Sequence, residues 1–336
     1  MTTTLISASL LSRAPHARGR EPIEIALVNN MSDAALQMTE QQFAGLLAAA
    51  GAEYNIRLRL FSFPELSRGQ VGRAYVAQHY EPIEQLWSSE LDGMIVTGAE
   101  PRTSALSEEV YWPSLTRLVN WATETSTPTI WSCLAAHAAV LQLDGIERTR
   151  LSEKTSGVFR CAKASDHPLV AGLPASWRIP HSRLNTLDVE RLAAAGYEIV
   201  SLSDGAGADT FVLNRGATFV FFQGHPEYDA SALFREYRRD VGRFLAGTME
   251  RYPEMPRGYF TDEMARAFTA FRALAHRVRS RELLDEFPGS DARTIPPHAW
   301  REVAVRLYSN WLASIVAPRQ AESAGRARRP ASASAT

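Results

Sequence analysis

Thr129-Ile130-Trp131-Ser132-Cys133-Leu134-Ala135-Ala136 passes from a buried strand straight into a helix of small residues. The apolar, β-branched and aromatic run from Pro128 to Ser132 predicts a strand. Cys133 to Leu143 is Ala-rich, and Gly145 closes it, which predicts a helix. A strand that turns directly into a helix is the repeating step of a parallel α/β sheet. The same step lifts the residue at the elbow above the sheet edge, and here that residue is a cysteine.

The flanking sequence repeats the step. Ile23 to Val28 reads as a buried strand, Thr39 to Ala50 as an amphipathic helix with Phe43, Leu46 and Leu47 on one face, and Ile56 to Phe61 as a strand alternating at period two. Leu91 to Gly98 is a strand ending in a glycine turn, and Tyr111 to Thr123 is helical. Further strands are expected at Tyr197–Leu202, Thr210–Leu213 and Thr218–Phe222. The pattern predicts a three-layer α/β sandwich with a parallel central sheet and a helical C-terminal extension. Sites in such sheets form beyond the carboxyl ends of the strands. Gly98, Cys133 and Gly224 each follow a strand, so all three fall on one edge.

A single catalytic domain is expected over residues 22–317. Residues 1–21, rich in Ser, Thr, Arg and Ala with Glu21 as the first acid, read as a disordered leader, and 318–336 as a disordered tail with no large apolar residue. Residues 262–290 read as a helical insertion, helical to about Glu286, with a loop marked by Gly289 and Pro296-Pro297. Trp300 to Val316 closes the fold as a helix whose Leu307, Trp311 and Ile315 stripe faces the core. A net charge of -1 gives no field to draw nucleic acid or an anionic membrane. No apolar run reaches membrane-spanning length, and two cysteines argue for a reducing compartment, the cytoplasm, over a disulfide framework. No Cys/His spacing suggests a structural zinc site.

Cys133 by composition alone would be a small buried hydrophobe. Its elbow position instead aims helix N-terminal N–H groups at the side chain, an environment suited to an anion. Backbone at Gly98 and Leu134 would form an oxyanion hole. Gly224-His225-Pro226-Glu227 follows the strand Phe219-Val220-Phe221-Phe222. A lone histidine after a strand is commonly a core residue, but this one has a carboxylate two positions away on a stiff turn. Thiol, imidazole and acid together are a nucleophile, a base and a base-orienting group. Cys161 lacks such a context and reads as structural. Lys154 and Pro180-His181-Ser182-Arg183 are polar groups in expected loops; His181 rivals His225 as base but has no carboxylate near it in sequence.

The chain resembles the homoserine O-acyltransferases of the succinyltransferase (transsuccinylase) type, which share the class I glutamine amidotransferase-like fold. Matching segments include Val96-Thr97-Gly98-Ala99, Tyr111-Trp112-Pro113, the Cys133 elbow, Glu153-Lys154-Thr155-Ser156-Gly157-Val158, Pro180-His181-Ser182-Arg183, Gly224-His225-Pro226-Glu227-Tyr228-Asp229, Glu236 with Arg239-Asp240, and Asn310-Trp311-Leu312. They stand in family order across residues 22–316.

The resemblance implies that Cys133 takes the acyl group from acyl-CoA, that His225 is the general base with Glu227 its partner, and that Lys154, Ser182 and Arg239 bind substrate. The acceptor would be L-homoserine and the product a methionine precursor. Succinyl-CoA or acetyl-CoA would be a co-substrate, with no bound cofactor and no metal, and the enzyme a homodimer. In the family, the position of Arg102 sorts donors: Gly goes with succinyl and Glu with acetyl. A guanidinium there would pair with a succinyl carboxylate, so succinyl is favoured. The chain departs from the family at Glu100-Pro101-Arg102 and at Asn29-Asn30-Met31-Ser32-Asp33, which leaves homoserine O-acetyltransferase and serine O-acyltransferase activity open. A glutamine amidotransferase-like amidohydrolase on the same fold is the competing class, and a non-catalytic binding module the third.

Overall fold

A computed structural model describes residues 22–289 and 299–327, with side chains described as far as residue 317. The leader 1–21, the Pro296-Pro297 loop and residues 328–336 lie outside the described residues. In chain order the elements are β1 (Ile23–Val28), α1 (Asp33–Ala50), β2 (Ile56–Phe61), α2 (Gln70–His79), α3 (Ile83–Leu86), β3 (Gly93–Val96), α4 (Trp112–Glu124), β4 (Thr129–Ser132) and α5 (Leu134–Asp144). There follow β5 (Thr149–Lys163), β6 (Ser176–Thr186), α6 (Val189–Ala194), β7 (Glu198–Ser203), β8 (Gly207–Arg215), β9 (Ala217–Phe222), α7 (Ala232–Leu245), α8 (Asp262–Arg277) and α9 (Arg301–Ala327).

The described strands form one sheet of order β2-β1-β3-β4-β9-β8-β7-β5-β6. From β2 to β9 neighbouring strands are parallel, and from β9 to β6 they are antiparallel. Apart from the alternating edge strand β2, the parallel half is made of nearly continuous apolar runs because helices cover both its faces. α1 and α9 pack on one face through Phe43, Leu46, Leu47, Tyr308 and Trp311; α4, α5 and α6 pack on the other through Leu115, Leu118, Ala138, Val140 and Leu192. The expected core stripe Leu307, Trp311 and Ile315 is buried.

Two expectations are corrected. Lys154 and Pro180–Arg183 are on strands β5 and β6, not in loops. Their polar, interrupted sequences hide a pairing whose register slips at a bulge between Arg150 and Thr155. α9 also continues to Ala327, so the backbone of 318–327 is helical where an unstructured tail was expected. Ala, Gln, Glu and Arg are good helix formers, and extending an established helix avoids the cost of nucleating one.

α8, read from the sequence as helical, packs on α7 in a third apolar cluster that includes Tyr237, Val241, Phe244, Phe268 and Phe271. Thr261 caps α8, its hydroxyl accepting from the Met264 N–H at 3.3 Å. α7 in turn presents Glu236, Arg239 and Asp240 toward the sheet edge.

Candidate active site

Cys133 sits between β4 and α5 with φ 51° and ψ −110°, a left-handed conformation that a non-glycine residue adopts only under strain. The surroundings hold it there. Its N–H donates to Phe222 O at 2.7 Å, and its carbonyl accepts from Ala136 N at 3.0 Å. Gly98, at the end of β3, lies against the start of α5: a Cβ on Gly98 would fall 2.6 Å from Leu134 Cβ and 3.2 Å from its backbone nitrogen. Only glycine permits so close an approach.

β9 parallels β4, and the turn after it brings His225 over the elbow. His225 Nδ1 is 2.7 Å from Glu227 Oε1, and the His225 ring lies near enough to the Cys133 sulfur for it to raise the imidazole pKa. Burial opposes charge on this imidazole. The Cys133 and Glu227 charges outweigh it and hold the His225 pKa well above its ordinary value. Ser132 Oγ reaches Glu227 Oε1 at 3.5 Å, while Glu227 Oε2 is buried without a hydrogen-bond partner among the described residues. Tyr228 stacks on His225 with ring centroids 4.1 Å apart, and Trp300 Nε1 donates to Tyr228 O at 2.7 Å.

Tyr228 links this triad to a charged cluster. Its hydroxyl donates to Glu236 Oε1 at 2.6 Å, and the Ser182 hydroxyl donates to Glu236 Oε2. Lys154 Nζ lies 3.4 Å from Glu236 Oε2 and 2.9 Å from Asp240 Oδ2. Arg239 pairs with Asp240 at 2.9 Å and stays partly exposed. Burial works against the Glu236 charge, but Lys154, the two hydroxyls and Arg239 hold its pKa at about 2.

The structure thus gathers Cys133, His225 and Glu227 at one point and Lys154, Ser182 and Arg239 beside it. Arg102 is exposed, and its backbone N–H donates to Glu109 Oε1 at 2.6 Å. Two other guanidiniums, Arg183 and Arg148, come within electrostatic reach of Cys133. Sequence reasoning assigned no role to either, nor to Glu236 and Asp240 as partners of Lys154. The α7 acids could have been found from their spacing, since residues four apart share a helix face. Arg148, in the turn before β5, gives no such signal.

One group among the described residues could offer metal donors. Cys161, His181 and Asp209 are fully buried, with ligand atoms within 4.8 Å of one another. His181 Nε2 lies 3.2 Å from Asp209 Oδ1, and Asp209 Oδ2 accepts from the Ser201 and Thr210 hydroxyls at 2.8 Å each. The carboxylate that His181 lacks in sequence is therefore supplied by β8. Burial pushes the Cys161 thiol pKa up and the His181 pKa down. A protonated thiol is a poor metal ligand, so the three read as an internal network behind Gly224, whose Cβ would fall 2.5 Å from Asp209 Oδ1.

A mixed sheet with helices on both faces of its parallel half, and a strained cysteine facing a His–Glu pair at its edge, define an α/β protein of the class I glutamine amidotransferase fold. Solved glutamine amidotransferases share that fold. The one from Thermotoga maritima superposes with a TM-score of 0.50 at 14% identity over 89% of this chain and 100% of its own. The one from Methylobacillus flagellatus gives 0.50 at 15% identity over 87% and 94%. Within that class, the family model described as homoserine O-succinyltransferase matches residues 4–321. Homoserine O-succinyltransferases of Rhodopseudomonas palustris and Methylorubrum extorquens are 48% and 46% identical, over 87% and 88% of this chain and 88% and 89% of their own. The chain belongs to the homoserine O-succinyltransferase family.

Proposed function

We propose that the protein transfers a succinyl group from succinyl-CoA to the hydroxyl of L-homoserine through a thioester on Cys133, in the cytoplasmic synthesis of methionine. The observation that carries this reading is the Cys133 elbow in contact with His225, itself 2.7 Å from Glu227.

In the first half-reaction the Cys133 thiolate attacks the thioester carbonyl carbon. Charge gathers on the carbonyl oxygen, facing the Leu134 and Gly98 backbone N–H groups. The bond from that carbon to the coenzyme A sulfur breaks, and the departing thiolate takes a proton from the His225 imidazolium. One thioester replaces another at little net cost in free energy.

In the second half-reaction neutral His225 takes the homoserine hydroxyl proton. The hydroxyl oxygen attacks the acyl carbon, the bond to Cys133 Sγ breaks, and the thiolate returns to its imidazolium partner. Glu227 keeps the ring oriented through both steps. Arg239 is a clamp for the amino acid's carboxylate. Glu236 and Asp240 face an ammonium, with Lys154 and Ser182 holding Glu236 in place. Tyr228 ties this zwitterion-binding cluster to the base.

The test is a matrix of succinyl-CoA and acetyl-CoA against homoserine and serine, read by thiol release. The highest kcat/KM is expected for succinyl-CoA with homoserine, with parallel double-reciprocal lines as the two substrates are varied. Intersecting lines would reject the acyl-enzyme, and a preference for serine would reject the acceptor.

A further inference from the structure

The segment that joins β3 to α4 runs through Gly98, against Leu134 of the Cys133 elbow, and ends at Tyr111. Two polar groups, Tyr111 Oη and Arg148 Nη1, are buried with no hydrogen-bond partner among the described residues. An unpaired buried donor is costly, and more so when charged. Here the two belong to neighbouring side chains within electrostatic reach of each other, and Arg148 is within the same reach of Cys133.

Arg148 contrasts with the second nearby guanidinium. Arg183 is 5% exposed, and its nitrogens face the Asn185 and Ala206 carbonyls and His181 Nδ1. It is a fixed charge behind the sulfur. Arg148 is tethered through Nη2, which donates to Ser104 O at 3.3 Å, while Nη1 stays unpaired. The acid facing Arg148 is Glu109, but its Oε1 already accepts from Arg102 N, Thr103 N and the Thr103 hydroxyl at 2.6, 2.8 and 2.9 Å. The other charge in reach, Arg150, is cationic. Burial disfavours the Arg148 charge, yet a guanidinium stays protonated in proteins. The interior here therefore holds a cation with an unused donor, with a phenol hydroxyl and the Cys133 sulfur within its electrostatic reach.

We propose that Arg148, helped by the Tyr111 hydroxyl, receives the terminal carboxylate of the acyl group carried on Cys133, and so selects a dicarboxylic acyl donor over a simple one. This rests on the acyl-cysteine reading above. A succinyl group places its carboxylate two methylenes from the thioester carbon and satisfies both orphaned donors with a charge-assisted pair. An acetyl group ends in a methyl and leaves them unpaired. The donor-sorting role expected of exposed Arg102 passes to Arg148.

The experiment measures kcat/KM for succinyl-CoA and acetyl-CoA in the full-length chain and in R148Q, R148K and Y111F, with homoserine saturating. The ratio of the two donors within one variant does not depend on the folded fraction. R148Q is expected to lower the succinyl-to-acetyl ratio by roughly ten- to a hundredfold, R148K by less, and Y111F by a few-fold in the same direction. Equal losses with both donors would make Arg148 a loop tether through Ser104 and overturn the assignment, as would an unchanged ratio in R148Q. Should R148Q not fold, an unchanged ratio in both R148K and Y111F overturns it. Mass spectrometry of the wild type with succinyl-CoA separates the levels. No succinyl group on Cys133 removes the underlying reading and this assignment with it; a succinylated Cys133 with unchanged variant ratios removes the assignment alone.

Discussion

At Cys133 the backbone is held at φ 51° so that one sulfur can face one imidazole. Strain of this kind costs on the order of 1–3 kcal/mol and persists only where surrounding bonds fix it; here Phe222 O and the helix start do so. His225 shows what the arrangement achieves. Burial alone would leave it neutral, but Cys133 and Glu227 raise its pKa well above 6.5. A raised histidine stabilises the fold fully below its ordinary value and loses that contribution as pH climbs through the folded value. His225→Ala should slow both half-reactions by about a hundredfold or more, measured by single-turnover thiol release for the first and by homoserine-dependent loss of the succinyl group from Cys133 for the second. Glu227→Gln removes a charge that raises the His225 pKa. Cys133 alkylation in that variant should fall by roughly tenfold near neutrality and approach the wild-type rate at alkaline pH. Parallel alkylation profiles for the two proteins would detach Glu227 from the triad.

Among elements, α7 carries the Glu236 and Asp240 carboxylates that pair with Lys154, and α8 packs against it. Phe268 of α8 is fully buried against α7 residues such as Tyr237. Phe268→Ala should cost about 3–5 kcal/mol by denaturant unfolding and raise KM for homoserine more than it lowers the Cys133 acylation rate; the reverse split would uncouple α8 from the acceptor site. The carboxyl of Glu236 on α7 is lowered from 4.5 to about 2. Its contribution, roughly 3 kcal/mol, is complete above the ordinary carboxylate range and disappears as pH falls from about 4.5 through about 2. Glu236→Gln should flatten acid unfolding across that window; an unchanged acid midpoint would contradict the clustering. Elements differed in how far the sequence disclosed them. β1 and β4 were legible as short apolar runs bounded by turn residues, and β2 by its period-two alternation. β5 and β6 were not, because Glu153, Lys154, His181 and Arg183 interrupt the apolar alternation with charged and polar side chains. Arg148 was illegible for a related reason: its meaning lies in a missing partner, which only the folded chain displays.

Over the whole molecule, two half-sheets divide the work. The parallel half, buried on both faces, brings β3, β4 and β9 to one edge and fixes the thiol, the glycine approach and the imidazole. The antiparallel wing carries Lys154 and Ser182 to α7 and encloses the His181–Asp209 pair behind Gly224. No described helix is long and apolar enough to cross a membrane. The glutamine amidotransferases share this scaffold, so the fold alone does not choose between acyl transfer and glutamine hydrolysis; the chemistry at Cys133 must. The most direct measurement is intact-mass and peptide mass spectrometry of the full-length chain mixed with succinyl-CoA without acceptor. One succinyl group is expected on the Cys133 peptide, discharged by homoserine and lost in Cys133→Ala. An unmodified Cys133, in a protein that releases ammonia from glutamine, would contradict the acyl-enzyme.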